Sequence, residues 1–431
     1  MPLDPDALFA PLDLRDRTTI LVAISGGSDS TALLHLFKTF AARRAVAFRI
    51  VAATVDHGLR AASAGEAQTV AQFCAGLGIE HVTLRWQGEK PATGVQAAAR
   101  LARYRLLDEA ARQAGTDIVL LGHTADDQSE TVTMRQARGP STTGRRGDAG
   151  MAPAMLLGDR TWFVRPLLGL SRATLRDHLQ KAGIGWIDDP TNRDRTFERV
   201  RTRETSPHAT PDPAGRLADS VRAAALIAAL ATRPSPGLIR VDPDLFGHDG
   251  GLTALRLLLA VTGGTEHLPD AARSKALIAA LGERKTRATL SRTVVDKRHG
   301  AVWLHRENRG LPAPDRPALG AIWDGRFRVV APLGDGLKIA MTGANARDLA
   351  GAVPPGASQA LVLAALTAEP ACRRGEVFVG PATPSPLSPV LAPWRLFLPA
   401  FDLAPAAALR RLLGLSDLPP SPWRDHICRR P

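Results

Sequence analysis

The feature that most constrains the fold is a repeating pattern between residues 18 and 182, in which a short, unbroken apolar run precedes a turn and a longer helical stretch. Unbroken apolar runs are typical of parallel strands buried on both faces, and parallel strands need crossover helices between them. We place strands at 20–24, 48–55, 81–86, 118–121 and 162–166. We place helices at 30–44, 65–77, 94–114, 127–138 and 171–182. The pattern predicts an α/β fold, a Rossmann-like parallel sheet with flanking helices.

Beyond this region the pattern changes, and we predict three domains. Residues 1–205 would form the α/β domain, which includes a glycine-rich, basic and mobile loop at 139–153. Residues 206–310 would be mainly helical, and residues 311–431 would form a divergent, proline-rich α+β region. In the second domain we expect helices within 215–232 and 252–281 and two strands within 293–306; in the third, short strands within 322–330, 337–341 and 391–401.

The balance of charge favours a polyanionic partner. The chain has 55 Lys and Arg against 42 Asp and Glu, a formal net charge of +13, as a nucleic-acid-binding protein would have. A coding sequence rich in G and C could produce the same arginine content with no partner at all.

The three cysteines, Cys74, Cys372 and Cys428, lie far apart in the sequence. Their spacing argues against a disulfide framework, a structural zinc site and an iron–sulfur cluster.

Two further observations point away from a membrane. The longest apolar stretches, such as 223–231, are well short of the ~20 residues that a membrane-spanning helix needs. The N-terminal segment MPLDPDALFAPLDLRDR is acidic and lacks the basic start and apolar middle of a secretory signal. We therefore expect a cytoplasmic protein without a membrane partner.

The strongest chemical motif is the loop between the first strand and its helix. Its residues are Ser25, Gly26, Gly27, Ser28, Asp29 and Ser30. Glycines let the backbone approach a ligand, and the N–H groups of a helix N-terminus attract phosphate oxygens. The loop matches neither the Walker A pattern nor G-x-G-x-x-G. Asp29 would repel phosphate unless a cation intervened, which predicts a magnesium ion between them. A serine-rich helix cap with a solvated Asp29 is the simpler alternative.

Polar side chains also follow the second and fourth predicted strands. Asp56 and His57 end the second strand, where open parallel sheets place ligands, although a turn explains them equally well. His123, Asp127 and Glu130 follow the fourth strand at spacings that bring them to one crevice. They could supply a base, a metal ligand and an acid for an ammonium group.

Two arginine groups complete the set of candidates. Arg100 and Arg103 lie one helical turn apart beside Tyr104, and a solvated helix face explains them about as well as a binding site. The segment 189–203 has five arginines within eleven residues, among them Arg199, Arg201 and Arg203. Such a run suits an RNA backbone or a triphosphate, although charge runs are usually solvated.

Taken together, these segments resemble the PP-loop ATP pyrophosphatase superfamily, and specifically the tRNA(Ile)-lysidine synthetase family. SGGSDS is similar to the superfamily's phosphate loop. VDHGLR, QAAARLARY, GHTADDQSET, RPLLGLSR and DPTNRDRTFERVRTR follow in the family's order and approximate spacing. The resemblance covers roughly residues 18–205, and Val200 and Thr202 depart from the usual pattern.

The resemblance implies an ATP- and Mg²⁺-dependent ligase. It would adenylate C2 of the wobble cytidine in an isoleucine tRNA with a CAU anticodon, and free L-lysine would then attack through its ε-amine. The products would be lysidine, AMP and pyrophosphate. A homodimer is one assembly that the resemblance allows.

The resemblance also implies roles for single residues. ATP would be bound by Ser25, Gly26, Gly27, Ser28, Asp29, Ser30, Val55, Asp56 and His57, with the metal on Asp29. Lysine would be bound by Arg103, Asp127 and Glu130, and the catalytic residues would be Asp29, His123 and Asp127. The phosphates of tRNA or of the nucleotide would be bound by Arg100, Arg199, Arg201 and Arg203. Residues 1–205 would then be the ATP-binding catalytic domain, and the mainly helical domain at 206–310 would contact tRNA.

Two other functions remain open on the sequence. Another PP-loop enzyme, such as a tRNA thiolase or an amidotransferase-type synthetase, would normally need paired or nucleophilic cysteines, and Cys74 is alone in the first 370 residues. A non-catalytic nucleotide- or RNA-binding protein would not need Asp29, Asp127 and Glu130 together beside a phosphate.

Overall fold

A computed structural model describes residues 3–44, 48–58, 63–137, 148–188, 211–283 and 287–424. Several expectations fall outside these ranges: most of the 139–153 loop, most of the 206–213 boundary, the arginine-rich segment 189–203, and Cys428.

The first half of the chain forms the expected α/β unit. Its strands are β1 (Thr19–Ala23), β2 (Arg49–Asp56), β3 (Glu80–Arg85), β4 (Ile118–Leu120), β5 (Ala154–Leu157) and β6 (Thr161–Val164). Its helices are α1 (Pro5–Phe9), α2 (Ser28–Ala42), α3 (Ser63–Gly76), α4 (Val95–Ala114), α5 (Ala125–Ala137) and α6 (Arg172–Lys181). The predicted strands and helices are confirmed, with ends that shift by a few residues.

The strand order shows where the ligand-binding crevice of the sheet lies. β3, β2, β1, β4 and β6 are parallel neighbours in that order, and β5 pairs antiparallel with β6. After β1 the chain moves outward to β2 and β3, and then returns to the other side of β1 to form β4. In open α/β sheets, ligands bind beyond the carboxyl ends of the strands where the order reverses in this way. The reversal lies between β1 and β4.

Helices cover both faces of the sheet, which explains why its strands are apolar without alternation. On one face, Ile20 and Val22 belong to a core that includes Phe37 of α2 and Leu175 of α6. On the other face, Leu21 belongs to a second core, which includes Tyr104 and Leu107 of α4. The sheet therefore forms the middle layer of three.

The second half is helical at first and then rich in β structure. Its helices are α7 (Pro213–Leu230), α8 (Gly251–Gly263), α9 (Ala271–Gly282), α10 (Ala346–Leu349), α11 (Gln359–Thr367) and α12 (Leu403–Leu413). A sheet in the order β7-β8-β11-β10-β9 is formed by β7 (Ala231–Ser235), β8 (Leu238–Val241), β9 (Arg287–Leu290), β10 (Thr293–Arg298) and β11 (Ala301–Arg306). The two strands expected within 293–306 are β10 and β11.

The last strands form two small sheets and one addition to the central sheet. One sheet contains β12 (Ile322–Trp323), β13 (Phe327–Val329) and β17 (Leu387–Pro389), and the other contains β14 (Leu337–Met341), β15 (Pro370–Arg374) and β16 (Val377–Pro381). The final strand, β18 (Phe397–Pro399), pairs antiparallel with β5. The C-terminal region therefore extends the central sheet, which brings that sheet to seven strands within the described residues.

Local details differ from the expectations at several points. Only β10 and β11 were expected in the sheet of the second half, so that β7, β8 and β9 are additional strands, and β15, β16, β17 and the helices α1, α10, α11 and α12 were not expected either. The helical stretch expected at 252–281 is two helices, because Gly264 adopts a left-handed backbone (φ +69°) and ends α8. β5 was not expected at all. The run at 391–401 contains only the three-residue strand β18 beside two short 3-10 helices. The three-domain division stays a prediction.

No helix in the described part of the chain combines the length and the apolarity that crossing a bilayer requires.

A buried carboxylate links the C-terminal region to α7. Asp402 accepts hydrogen bonds from Arg216 Nη2 (2.6 Å), Ser220 Oγ (3.0 Å) and Trp394 Nε1 (3.1 Å), and only 1% of Asp402 is exposed. Removal of this carboxylate would take one ion-pair partner away from a largely buried guanidinium.

We predict that Asp402→Ala lowers the free energy of unfolding by about 3 kcal/mol, because one partner of a buried ion pair is lost. Asp177→Ala is the matched control, since both side chains of the Asp177–Lys181 ion pair are more than half exposed. Its cost should stay below about 1 kcal/mol. Urea unfolding followed by tryptophan fluorescence measures both values. Equal losses in the two variants would contradict the role given to Asp402.

Candidate active site

The loop at residues 25–30, called the phosphate loop below, joins β1 to α2, and hydrogen bonds of its own serines fix its shape. The Ser25 N–H donates to Ser30 Oγ (3.1 Å), and the Ser30 hydroxyl donates to the Gly27 carbonyl oxygen (3.1 Å). Gly27 is the N-cap residue of α2. The loop therefore curls around the start of a 15-residue helix, whose first N–H groups and dipole favour an anion.

Gly26 is the position in this loop that requires glycine. Its φ is +86°, and a Cβ there would lie 2.7 Å from Ile187 Cδ1 and 2.9 Å from Val70 Cγ2. The Ile187 N–H also donates to the Gly26 carbonyl oxygen (2.8 Å). The segment that precedes the arginine-rich motif is therefore held directly against the phosphate loop.

A cleft of about 350 Å³ opens beside this loop, at the reversal of strand order. Its apolar wall comes from Ala23, Ile24, Ala53, Val55, Leu107, Leu121 and Ile187. Its polar lining comes from Ser25, Gly27, Ser28, Asp29, Ser30, Arg103, Gly122, His123, Asp127, Arg172, Arg176 and Asp188. A flat apolar group and a polyanion could both be accommodated, and most of the predicted residues meet here.

Two carboxylates from different loops converge on one guanidinium in the cleft. Arg172 Nε donates to Asp29 Oδ2 (3.0 Å), and Arg172 Nη2 lies 3.6 Å from Asp127 Oδ1. Burial of Arg172 lowers its pKa, but the charges of Asp29, Asp127 and Glu130 outweigh this effect, so that the net shift is upward. The guanidinium keeps its charge and compensates the acids.

Asp127 is also fixed by its own loop. Its Oδ2 accepts from the Thr124 N–H (2.8 Å) and the Thr124 hydroxyl (3.0 Å), as the carboxylate at the third helical position does in a capping box. The other oxygen is left facing Arg172. Asp127 therefore enters the cleft in a defined orientation.

Arg172 was missed as a site residue on the sequence. It ends the RPLLGLSR segment and begins α6, 143 residues beyond Asp29. Its backbone N–H also donates to Asp126 Oδ2 (2.8 Å), which ties α6 to α5. An arginine directly after the N-cap Ser171 was the available signal, because a cation is unfavourable at a helix N-terminus unless acids surround it.

Arg176 and Asp188 were missed as well. Arg176 Nη2 donates to Asp188 Oδ1 (3.1 Å), and its guanidinium lies 5.7 Å from the Trp186 ring centroid. Arg176 Nε reaches Ser28 Oγ at 3.4 Å. A second cation therefore stands at the phosphate loop.

Several predicted residues lie beside the cleft. Glu130 is buried in α5, and Asp56 is buried at the end of β2, where its Oδ1 accepts from the Gly58 N–H (2.8 Å). His57 lies next to Arg103, with 3.4 Å between His57 Nε2 and Arg103 Nη2. Arg100 Nη2 donates to the buried Tyr104 hydroxyl (3.1 Å). Arg199, Arg201 and Arg203 are outside the described residues.

A divalent cation fits the residues at the phosphate loop. Asp29 and Asp127 supply hard carboxylate oxygens on either side of the Arg172 guanidinium, a position that already carries a positive charge. Within the described ranges, no group of three or more His, Cys, Asp and Glu residues could hold a metal. Magnesium characteristically takes one or two carboxylates and completes its shell with phosphate oxygens and water.

His57, which lies beside the cleft, has a strongly lowered pKa. Burial and, after it, the nearby Arg103 lower the pKa of His57 to about 4, against a smaller opposite effect of Asp56. His57 is therefore neutral above about pH 5 and can accept a hydrogen bond from Arg103.

We predict that Arg103→Ala raises the pKa of His57, because a neighbouring positive charge is removed. Titration of the imidazole by NMR should give a midpoint near pH 4 in the unaltered protein and a higher one in the variant. Arg105→Ala, at an exposed arginine of the same helix, is the control and should leave the midpoint unchanged. A midpoint near 6.5 in the unaltered protein would contradict the burial of His57.

Gly122 lets the end of β4 approach the phosphate loop. A Cβ at this position would lie 3.0 Å from the backbone C and O of Asp29 and from Ser30 Cα. We predict that Gly122→Ala weakens ATP binding about tenfold, or about 1.4 kcal/mol, because backbone atoms of the loop must move. Gly65→Ala in α3 is the control, since nothing lies within 4 Å of its added Cβ. Calorimetric titration with ATP measures both, and an unchanged affinity in Gly122→Ala would contradict this contact.

Comparison with known proteins identifies the family of the chain. A family model described as a PP-loop domain matches residues 6–208. A tRNA(Ile)-lysidine synthase of Mesorhizobium japonicum is 47% identical over 97% of each chain. A tRNA(Ile)-lysidine synthase of Rhizobium meliloti is 45% identical over 72% of each chain.

Among solved structures, a U34-tRNA thiolase of Methanococcus maripaludis matches with a TM-score of 0.37 and 15% identity over 46% of this chain and 77% of its own. That likeness is too low to bear on function, and the two curated relatives decide the assignment. The chain belongs to the tRNA(Ile)-lysidine synthase family, and residues 6–208 match its PP-loop domain.

Proposed function

We propose that the protein joins free L-lysine, through its ε-amine, to C2 of the wobble cytidine of an isoleucine tRNA with a CAU anticodon, at the expense of ATP. The observation that carries the proposal is the convergence of Asp29 and Asp127 on Arg172 beside the phosphate loop. The names of the two relatives support the choice of tRNA and of lysidine as the product. The proposed compartment is the cytoplasm, and a homodimer stays a prediction.

The first half of the reaction activates the base. The C2 oxygen of the cytidine attacks the α-phosphorus of ATP, and pyrophosphate leaves. The phosphate loop would hold the triphosphate, and Arg172 and Arg176 add positive charge where negative charge develops. The apolar wall at Ala53, Val55 and Leu107 suits the adenine ring.

Magnesium is the proposed cofactor of this half. Asp29 would hold it, with Asp127 on the far side of Arg172, and the ion supplies neutralisation of the phosphate charge when bound. Because Arg172 Nε donates to Asp29 Oδ2, a metal ion held by Asp29 would release Arg172 to turn toward the phosphates. Asp29 thereby avoids the repulsion that a carboxylate beside phosphate would suffer.

The second half forms the new C–N bond. The ε-amine of lysine attacks C2, the bond from C2 to the AMP oxygen breaks, and AMP leaves with that electron pair. The ε-ammonium group must lose one proton to become a nucleophile, and the nitrogen must lose a second proton after it has attacked C2. His123 and Asp127 are the candidate proton acceptors within the cleft. Arg103 would meet the lysine carboxylate, and Asp127 with the buried Glu130 would attract its ammonium group.

Sulfur transfer is the less suitable alternative. Cys74 is fully buried in the core, and burial raises the pKa of its thiol to about 11. A sulfur carrier needs an accessible thiolate, so that Cys74 is unsuited to this role. Cys372 is also buried, and burial raises the pKa of its thiol as well.

The decisive experiment is nucleoside analysis of tRNA incubated with the purified protein, ATP, Mg²⁺ and labelled lysine. We expect lysidine only in isoleucine tRNA with a CAU anticodon, together with AMP and pyrophosphate in equal amounts. Omission of lysine should prevent lysidine formation, and omission of tRNA should prevent pyrophosphate release. ATP binding without any turnover would instead support a nucleotide-binding protein without catalytic activity.

We predict that Asp127→Asn lowers turnover more than tenfold while ATP affinity changes little. The amide keeps the shape of the side chain and loses the charge that faces Arg172 and the incoming amine. Asp126→Asn is the neighbouring control, because Asp126 accepts the backbone N–H of Arg172 and does not line the cleft. Steady-state rates of AMP release measure both. Equal rates for Asp127→Asn and the unaltered protein would remove Asp127 from the mechanism.

A further inference from the structure

Trp86 is a large aromatic side chain that the core does not use. It follows β3 directly and is only half-buried. Among the described residues, it is part of neither hydrophobic core of the central sheet, although Val82 and Leu84 of the same strand pack against one of them. An indole outside the core, at the ligand-binding edge of a parallel sheet, is a typical recognition element.

The Trp86 ring is held in one orientation by its neighbours. Its backbone N–H donates to the Asp56 carbonyl oxygen (2.8 Å), so that the chain continues the parallel ladder. Lys90 Nζ lies 5.3 Å from the ring centroid and donates to the carbonyl oxygens of Trp86 (3.0 Å) and Gly88 (3.2 Å). The His57 ring meets it edge-on, with 6.1 Å between centroids. A ligand would thus find this aromatic surface already ordered.

The same group connects to the cleft through Arg103. His57 Nε2 lies 3.4 Å from Arg103 Nη2, and Arg103 lines the cleft. Trp86, His57 and Arg103 therefore form a continuous path from the outer edge of the sheet to the cleft. The charges along the path are mostly positive: Lys90, Arg103 and the 67% exposed Arg85 side chain stand against the buried Asp56.

We propose that Trp86 is a stacking platform for a nucleobase that adjoins the modified nucleotide of the RNA substrate, with Lys90 near the connecting phosphate. The inference rests on the proposed function and deepens it. A base that enters the cleft leaves its neighbour in the single-stranded loop without a stacking partner, and proteins replace such partners with aromatic rings. The positive charge around the indole suits the phosphates on either side.

The adenine of ATP is the other nucleobase that could reach Trp86, and the arrangement of the cleft favours RNA. Ala53, Val55 and Leu107 give adenine an apolar wall next to the phosphate loop. Trp86 lies beyond His57 and Arg103, outside the residues that line the cleft. If the base on Trp86 belongs to the RNA, loss of the indole lowers the affinity for RNA. If the base is the adenine of ATP, loss of the indole lowers the affinity for ATP.

The test measures binding of an isolated anticodon stem-loop and of ATP separately. Base stacking on an aromatic ring is worth about 1–3 kcal/mol, so Trp86→Ala should weaken stem-loop binding about tenfold, and the KM for tRNA should rise in parallel. The affinity for ATP should stay unchanged. Trp86→Phe should retain most of the binding, because the phenyl ring still offers a face.

Lys90→Gln provides a second, independent variant. It should weaken stem-loop binding and reduce the slope of log affinity against log salt by about one, as the loss of one phosphate contact does. Lys181→Gln is its control, at an exposed lysine that pairs with Asp177 within α6. Its affinity and salt slope should equal those of the unaltered protein.

The outcomes separate the inference from the function on which it rests. Unchanged stem-loop affinity and KM in Trp86→Ala, in a protein that forms lysidine, would overturn the platform alone. Weaker ATP binding in Trp86→Ala with unchanged stem-loop affinity would assign the indole to adenine and also overturn it. Failure of the unaltered protein to form lysidine with any tRNA would overturn the proposed function. In that case the stem-loop affinity of Trp86→Ala would still test whether Trp86 stacks on a base of the RNA.

Discussion

The close approach of two strand ends is the constraint on which the rest of the structure depends. β1 and β4 are parallel neighbours, and Gly122 lets the end of β4 lie against the backbone of Asp29 and Ser30. The phosphate loop and the segment after β4 therefore face one cleft, although about 100 residues separate them. A side chain at Gly122 would displace the backbone of the phosphate loop by a few tenths of an ångström and loosen the convergence of the carboxylates.

The site compensates its negative charge internally. Asp29, Asp127 and Glu130 surround Arg172, and their combined effect raises its pKa. In the proposed complex with ATP, a magnesium ion would take over from this guanidinium the neutralisation of Asp29. That exchange would keep the acids paired with a cation in both states and would avoid the cost of a partly buried, unpaired charge.

The phosphate loop and the His123 and Asp127 pair were recognisable from local patterns, because each functional group lies within a few residues of a strand end. Arg172 was not, since its partner Asp29 is 143 residues away and no periodicity relates them. The place of β18 in the central sheet was equally hidden. A short strand within 391–401 was expected, but its partner β5 was not, and the pairing joins residues that are far apart in the sequence.

The sequence by itself determined the layered α/β unit, the phosphate loop and the strand-end acids, because apolar periodicity, glycine spacing and helix starts are local properties of the chain. Tertiary structure alone decided which groups meet. It brought Arg172 between the acids, removed Glu130 and Asp56 from the lining of the cleft, and left Trp86 outside the core. These outcomes depend on strand order and on helix packing across the sheet, which arise from contacts between residues far apart in the sequence.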